Sequence, residues 1–107
     1  MANLFYANDE QLYQTCLFNN NQQACQTYLT RNKARCDNYD AEGCLNLHFT
    51  YGSSYRLFHK NMSEYEAMKN ELRTIVKACR LGILETCDEV KEEYMFYLEC
   101  KDDFEKC

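Results

Sequence analysis

The chain has 107 residues and a formal net charge of −5, and 8 of its residues are cysteine. This length favours one domain over residues 1–107. The acidic balance excludes a strongly basic nucleic-acid binder, so we expect no nucleic-acid partner. No stretch approaches the roughly 18 apolar residues of a membrane-spanning helix. A hydrophobic content of 46% is typical of a globular protein.

Apolar residues recur at helical spacing in five segments, and no alternating run competes as a strand. The predicted helices are Glu10 to Phe18, Gln22 to Cys36, Gly43 to about Tyr51, 65–79 and Leu84 to about Lys101, with a short sixth helix near Phe104. The first two turns between them, at residues 19–21 and 38–40, are rich in Asn and Asp. We therefore predict an all-α fold of antiparallel helix-turn-helix repeats, arranged as a short solenoid or bundle.

The clearest helical pattern lies in residues 65–79, where apolar side chains form one stripe and charged side chains fill the gaps. Ser63 followed by Glu66 is a capping box, and Gly82 suits a left-handed helix stop. In the next helix, residues 94–98 are apolar all round. This stretch is either covered on two sides or exposed to a partner.

Eight cysteines in a short chain indicate disulfides in an oxidising compartment or metal ligands in a reducing one. The even count and the absence of C-x-x-C spacing favour disulfides. Successive cysteines flank the predicted turns, where antiparallel helices approach within the span of a disulfide. Among about a hundred possible connectivities we therefore favour sequential pairing. The predicted pairs are Cys16–Cys25, Cys36–Cys44, Cys79–Cys87 and Cys100–Cys107.

The first residues lack both the basic region and the apolar stretch of a signal peptide. If the protein is exported, we expect that its signal has already been removed. A secreted or periplasmic location follows from the cysteines, with the mitochondrial intermembrane space as the alternative.

Two segments resemble parts of a known repeat. Asp40–Gly52 resembles the opening helix of Sel-like repeats, which are relatives of the tetratricopeptide repeat. Ala78–Gly82 matches the Ala-Cys-x-Leu-Gly end of the closing helix in the cysteine-paired version, the Helicobacter cysteine-rich protein family. The sequence has His48 where that family has glycine and an insertion within 53–62. The resemblance implies secreted or periplasmic helical repeats, joined by disulfides across turns, that bind other proteins.

Some members of that family are linked to β-lactamase activity, but this sequence lacks Ser-x-x-Lys and Lys-Thr-Gly. His48 and His59 are the only histidines, and full cysteine pairing leaves no thiolate for a Cys–His nucleophile. We therefore predict no enzymatic activity and no cofactor. His48, between Leu47 and Phe49, is predicted to be packed or hydrogen-bonded rather than a metal ligand.

Acidic residues cluster early in the last predicted helix. The cluster consists of Glu85, Asp88, Glu89, Glu92 and Glu93. Four of them, all except Glu93, suit a weak cation site, and the four within 88–93 also suit a basic partner. A solvated helix face is the favoured interpretation, so no metal site is predicted.

Aromatic residues suggest two segments for partner binding, because tyrosine offers a large contact area at low entropic cost. The candidates are Tyr51, Tyr55, Arg56, Leu57, Phe58, Tyr94, Phe96 and Tyr97. Alternatively, Leu57 and Phe58 fill a gap in the core. We predict a monomeric or weakly dimeric module that binds another protein. The alternatives are a small helical carrier of an apolar ligand and a metal-binding protein with reduced cysteines.

Overall fold

The structure, a computed structural model, describes residues 7–102 and the side chains of residues 7–99. Over this range the chain forms helices and no strand, which confirms the all-α prediction. The helices are α1 (Asp9–Asn19), α2 (Gln22–Asp37), α3 (Ala41–Phe49), α4 (Tyr55–Phe58), α5 (Glu64–Arg80) and α6 (Glu85–Asp102). Within residues 7–102, no helix combines the length and apolar character needed to cross a membrane.

Five of these helices correspond to the predicted segments, and α4 was not predicted. It spans only four residues and has no side-chain cap, so it carries no periodic signal that a sequence pattern can reveal. The short helix predicted near Phe104 lies outside the described residues.

Polar side chains fix the starts of the longer helices. Asn8 caps α1 by accepting a hydrogen bond from the Gln11 backbone N–H at 2.8 Å, and the Gln11 side chain accepts one in return from the Asn8 N–H at 2.9 Å. Asp40 accepts from two backbone N–H groups at the start of α3. Ser63 accepts from the Glu66 N–H at 3.1 Å, at the predicted start of α5. These caps satisfy backbone donors that the helices leave unpaired.

Three of the four predicted disulfides are present. Cys16–Cys25, Cys36–Cys44 and Cys79–Cys87 join helix ends across successive turns, with Cα–Cα separations of 4.8, 4.4 and 5.0 Å. The six cysteines whose side chains the structure describes are therefore all paired. The predicted Cys100–Cys107 pair lies outside the described side chains.

The turns after Cys36 and Cys79 have the same backbone structure. In each, the third residue after the cysteine has a positive φ, 64° at Tyr39 and 116° at Gly82. Its N–H donates to the carbonyl of that cysteine at 3.1 Å in both turns. The next residue donates to the carbonyl of the residue before the cysteine, at 2.9 and 3.1 Å. This is the Schellman pattern, which satisfies the last carbonyls of α2 and α5.

Two apolar clusters lie in the core of the described part of the chain, and cystines belong to both. The first packs α1 and α2 against α4 and consists of Leu12, Cys16, Ala24, Cys25, Tyr28 and Phe58. The second lies where α2, α3 and α5 meet and consists of Cys36, Cys44, Leu47 and Ala78. Cross-links thus replace part of the large aliphatic side chains that a core of this size would otherwise need.

A polar network centred on Arg35 joins the first three helices. Its guanidinium donates to the Asp9 carboxylate at 2.6 Å and to the Asp40 carboxylate at 2.9 Å. The Asn32 side-chain oxygen, fully buried, accepts from Arg35 at 3.2 Å and from Asn46 at 3.0 Å. The hydrogen bond from Arg35 also holds the pKa of Asp40 below its ordinary value.

Gly43 allows α3 to approach α2 closely beside the Cys36–Cys44 disulfide. A Cβ added there would lie 2.4 Å from the Arg35 Cβ and 2.9 Å from the Cys36 backbone nitrogen. Because the disulfide limits separation of the helices, we expect Gly43→Ala to lower the free energy of unfolding by about 3 kcal/mol, the upper end for overpacking. Urea denaturation of the oxidised protein measures this change.

Glu42→Ala is the matched control, because the Glu42 side chain is exposed and forms a long ion pair with Arg35, at 3.7 Å. We expect that variant to lose less than about 1 kcal/mol. Equal losses in the two variants would contradict the close-approach argument.

Candidate functional site

An open groove of about 560 Å³ runs along the surface between α5 and α6. Its lining consists of Lys69, Leu72, Arg73, Val76, Lys77 and Arg80 from α5, with Val90, Tyr94 and Tyr97 from α6. The groove therefore combines a row of cations with an apolar and aromatic wall.

The sequence of α5 explains why one wall is both basic and apolar. Ala67, Ile75 and Ala78 face the protein interior and are buried. Leu72 and Val76 flank this buried stripe and are partly exposed. The basic residues follow one another at intervals of three or four, which places them on one side of a helix.

The opposite wall of the groove is held by an aromatic pair. Tyr97 stacks on Tyr65 with ring centroids 5.8 Å apart, and their hydroxyl oxygens are 3.2 Å apart. Tyr94 lies one turn earlier on α6 and is about half exposed. Because both walls belong to helices, the groove is formed before any ligand binds.

The cations of the groove differ in their surroundings. The Lys69 ammonium lies 3.1 Å from a Glu66 carboxylate oxygen and 5.4 Å from the Tyr65 ring centroid. The Lys77 ammonium lies 5.4 Å from the Tyr39 ring centroid. Arg73 and Arg80 are exposed. In a chain with net charge −5, this row of positive charge favours a ligand that carries carboxylates beside apolar groups.

The structure separates the predicted partner-binding residues into three places. Tyr94 and Tyr97 line the α5–α6 groove. Tyr51, Tyr55 and Phe96 meet in a second cleft of about 320 Å³, next to α5.

The remaining candidates lie in or beside α4. Phe58 is buried against Tyr13 and Tyr28, as in the gap-filling alternative, and Leu57 packs on the same cluster. Arg56 is exposed and lies 3.8 Å from Glu64. The α4 segment thus serves mainly to complete the core.

Within the apolar stretch of α6, residues 94–96 are exposed and residues 97–98 are partly buried. Tyr94, Met95 and Phe96 each expose about half of their surface. The basic residues of α5 were not predicted as functional, because a helix with alternating charges is usually only solvated. Their regular spacing next to partly exposed Leu72 and Val76 was the available signal.

A second group of polar residues lies between α3 and α6. His48 is buried, and its Nδ1 donates to the Glu71 backbone carbonyl at 2.9 Å, as expected for a packed, hydrogen-bonded histidine. Its Nε2 lies 3.4 Å from Oε1 of Glu93. Burial lowers the pKa of His48. The imidazole is therefore neutral at pH 7 and keeps a lone pair on Nε2.

The expectation that Glu93 lies on a solvated face is wrong. Its side chain is only 23% exposed, and its Oε2 atom is buried without a hydrogen-bond partner among the described residues. Burial, followed by the charges of Glu71 and Glu89, raises the pKa of Glu93 to about 8. Burial also raises the pKa of Glu71. The packing of both α3 and α6 on α5, which sequence spacing does not encode, turns this carboxyl inward.

No protein-family model, curated protein or solved structure matches this chain. The geometry of the groove and of the His48 cluster therefore carries the functional argument.

The raised pKa of Glu93 predicts a pH dependence of stability. In the folded protein the Glu93 carboxyl keeps its proton up to about pH 8, whereas in the unfolded chain the same carboxyl loses it above the ordinary pKa of glutamate. The folded state therefore loses stability as pH rises from about 5 to about 8. Glu93→Gln removes this proton and can still donate a hydrogen bond to His48. We expect the free energy of unfolding of the Glu93→Gln variant to exceed that of wild type by on the order of 2 kcal/mol at pH 8.5. At about pH 4 we expect no such excess.

Urea denaturation in a chelator-containing buffer at several pH values measures the difference. Glu92→Gln is the control, since Glu92 is exposed on the same helix. It should retain the wild-type pH dependence. If the free energy of unfolding of Glu93→Gln changed with pH in parallel with that of wild type, the assigned pKa of Glu93 would be contradicted.

Proposed function

We propose that the protein is a non-enzymatic interaction module that binds an acidic, amphipathic helical segment of a partner protein in the α5–α6 groove. The observation that carries the proposal is the row of four basic residues beside an apolar wall in one open groove. A helix with apolar anchors and flanking carboxylates matches both features, as in other helix-in-groove complexes.

The compartment fits this role. Three disulfides indicate an oxidising environment, extracellular or periplasmic. We propose that the protein is secreted or periplasmic and that it acts as a monomer or weak dimer. The alternative of a metal protein with reduced cysteines is disfavoured, because none of the six described cysteines is free.

We further propose that the chain is a divergent Sel-like repeat protein. The equivalent turns after Cys36 and Cys79 support this, since each closes a C-x7-C pair with the same hydrogen bonds and a positive φ at the same position. The α5–α6 groove then lies at the second of the two equivalent turns.

Binding in the groove divides into an anchoring part and a steering part. Leu72, Val76 and Val90 offer apolar surface to anchor residues of the partner helix. Arg73 and Lys77 attract its carboxylates and favour one orientation. Because these cations lie at the surface, their contribution falls as salt screens it.

Helical peptides selected from a randomised display library on the immobilised, oxidised protein test this proposal. We expect enrichment of sequences with leucine-like anchors at helical spacing and Glu or Asp beside them. The double variant Arg73→Glu/Lys77→Glu should weaken the selected peptides by about tenfold or more, because charge reversal replaces attraction with repulsion. Fluorescence anisotropy of the labelled peptides measures the affinity.

The control is Lys33→Glu/Lys91→Glu, which makes the same change in net charge at two exposed lysines outside the groove. It should retain the wild-type affinity within about threefold once salt screens long-range charge. Equal weakening in both double variants, or selection of basic peptides, would contradict the proposed groove. Tight binding of an uncharged apolar probe with no charge dependence would instead favour the carrier alternative.

A further inference from the structure

One side-chain nitrogen and two carboxylates from different helices converge beside α5. The donor atoms of His48 on α3 and of Glu89 and Glu93 on α6 all lie within 4.8 Å of one another. His48 Nε2 and Glu93 Oε1 are 3.4 Å apart, and the His48 side chain is only 6% exposed. This convergence is independent of the α5–α6 groove.

The hydrogen bond on the far side of the imidazole determines what Nε2 can do. The Glu71 backbone carbonyl can only accept, so His48 Nδ1, 2.9 Å away, carries the proton. The neutral ring then directs the Nε2 lone pair at Glu93. Metal-binding histidines are held in the same way, with the second ring nitrogen donating to a backbone carbonyl or a carboxylate.

The atoms that face one another in this cluster are all acceptors when Glu93 is ionised. A lone pair on Nε2 meets a carboxylate oxygen at 3.4 Å, beyond the usual hydrogen-bond length. The other carboxylate oxygen, Oε2, is buried and has no hydrogen-bond partner within the side chains of residues 7–99. Buried acceptors without a donor are costly, so the arrangement calls for either a proton on Glu93 or a cation between the two helices.

We propose that His48 Nε2, Glu89 and Glu93 form a binding site for a first-row divalent transition-metal ion such as Zn²⁺. Nitrogen and oxygen donors bind Zn²⁺ at about 2.0–2.2 Å, which places neighbouring ligands of a tetrahedral ion about 3.4 Å apart. The His48–Glu93 separation already has this value. Glu89 is exposed, so its side chain is free to close the remaining distance.

The donor set also specifies which ions bind. An imidazole with two carboxylates suits Zn²⁺ and other first-row divalent transition-metal ions, whereas Mg²⁺ and Ca²⁺ require about six or more oxygen ligands. Three protein ligands leave one position of a tetrahedral ion for water. A bound ion would tie α6 to α3, so the metal-loaded protein would be more resistant to unfolding.

Titration of the oxidised, tag-free, chelator-treated full chain with ZnCl₂ tests the proposal. We expect one Zn²⁺ per chain and a rise in Tm of about 5 °C or more at saturation, with no rise for MgCl₂ or CaCl₂. Long-range ¹H–¹⁵N spectra add a direct readout, because the chain has only two histidines. Zn²⁺ should shift the Nε2 resonance of His48 and leave His59 unchanged.

Glu89→Gln removes one ligand without altering a buried side chain. Loss of an outer-shell partner alone weakens metal affinity by about 10–100-fold, so loss of a direct ligand should weaken Zn²⁺ binding at least tenfold. Glu92→Gln, an exposed neighbour outside the cluster, should bind like wild type. Absence of Zn²⁺ binding, equal binding by Glu89→Gln and wild type, or a shift confined to His59 would each overturn the proposal.

Discussion

Closure of successive turns by disulfides is the constraint on which this structure depends. Each described bond joins cysteines only 8 or 9 positions apart in sequence, at the end of one helix and the start of the next. In the chain-entropy description, loops of this size contribute about 2.5 kcal/mol each. Three of them together approach the total stability of an ordinary small domain. The cystines Cys16–Cys25 and Cys36–Cys44 also belong to the apolar clusters, so they act as packing groups as well as cross-links.

The functional features follow from where these cross-links hold the helices. Cys79–Cys87 closes the turn between α5 and α6 and so holds together the two walls of the groove. Cys36–Cys44 fixes the start of α3 against α2, and His48 lies one turn further along that helix than Cys44. The groove therefore stays open, while an adjacent face of α6 places Glu93 beside His48.

The features that the sequence predicted correctly are those that depend on neighbouring residues. Periodicity located five helices, and the placement of cysteines beside turns predicted the three described pairings, since both depend on a few neighbouring residues. It did not predict α4, which is too short to show a period. It also assigned Glu93 to a solvated face, because the packing of α3 and α6 on α5 brings together residues that are distant in sequence. The groove likewise depends on two helices meeting at one angle, which no single helix pattern contains.

The most direct test of this account is the free energy of unfolding before and after reduction. Urea denaturation followed by far-UV circular dichroism would compare the oxidised protein with protein whose disulfides have been reduced and whose thiols have been alkylated. Mass spectrometry would count the modified thiols. We expect modification of the cysteines in the three described pairs to lower the free energy of unfolding by about 5 kcal/mol or more, leaving the chain largely unfolded. An unchanged urea midpoint after complete modification would show that the helices hold together without their cross-links, and would contradict it.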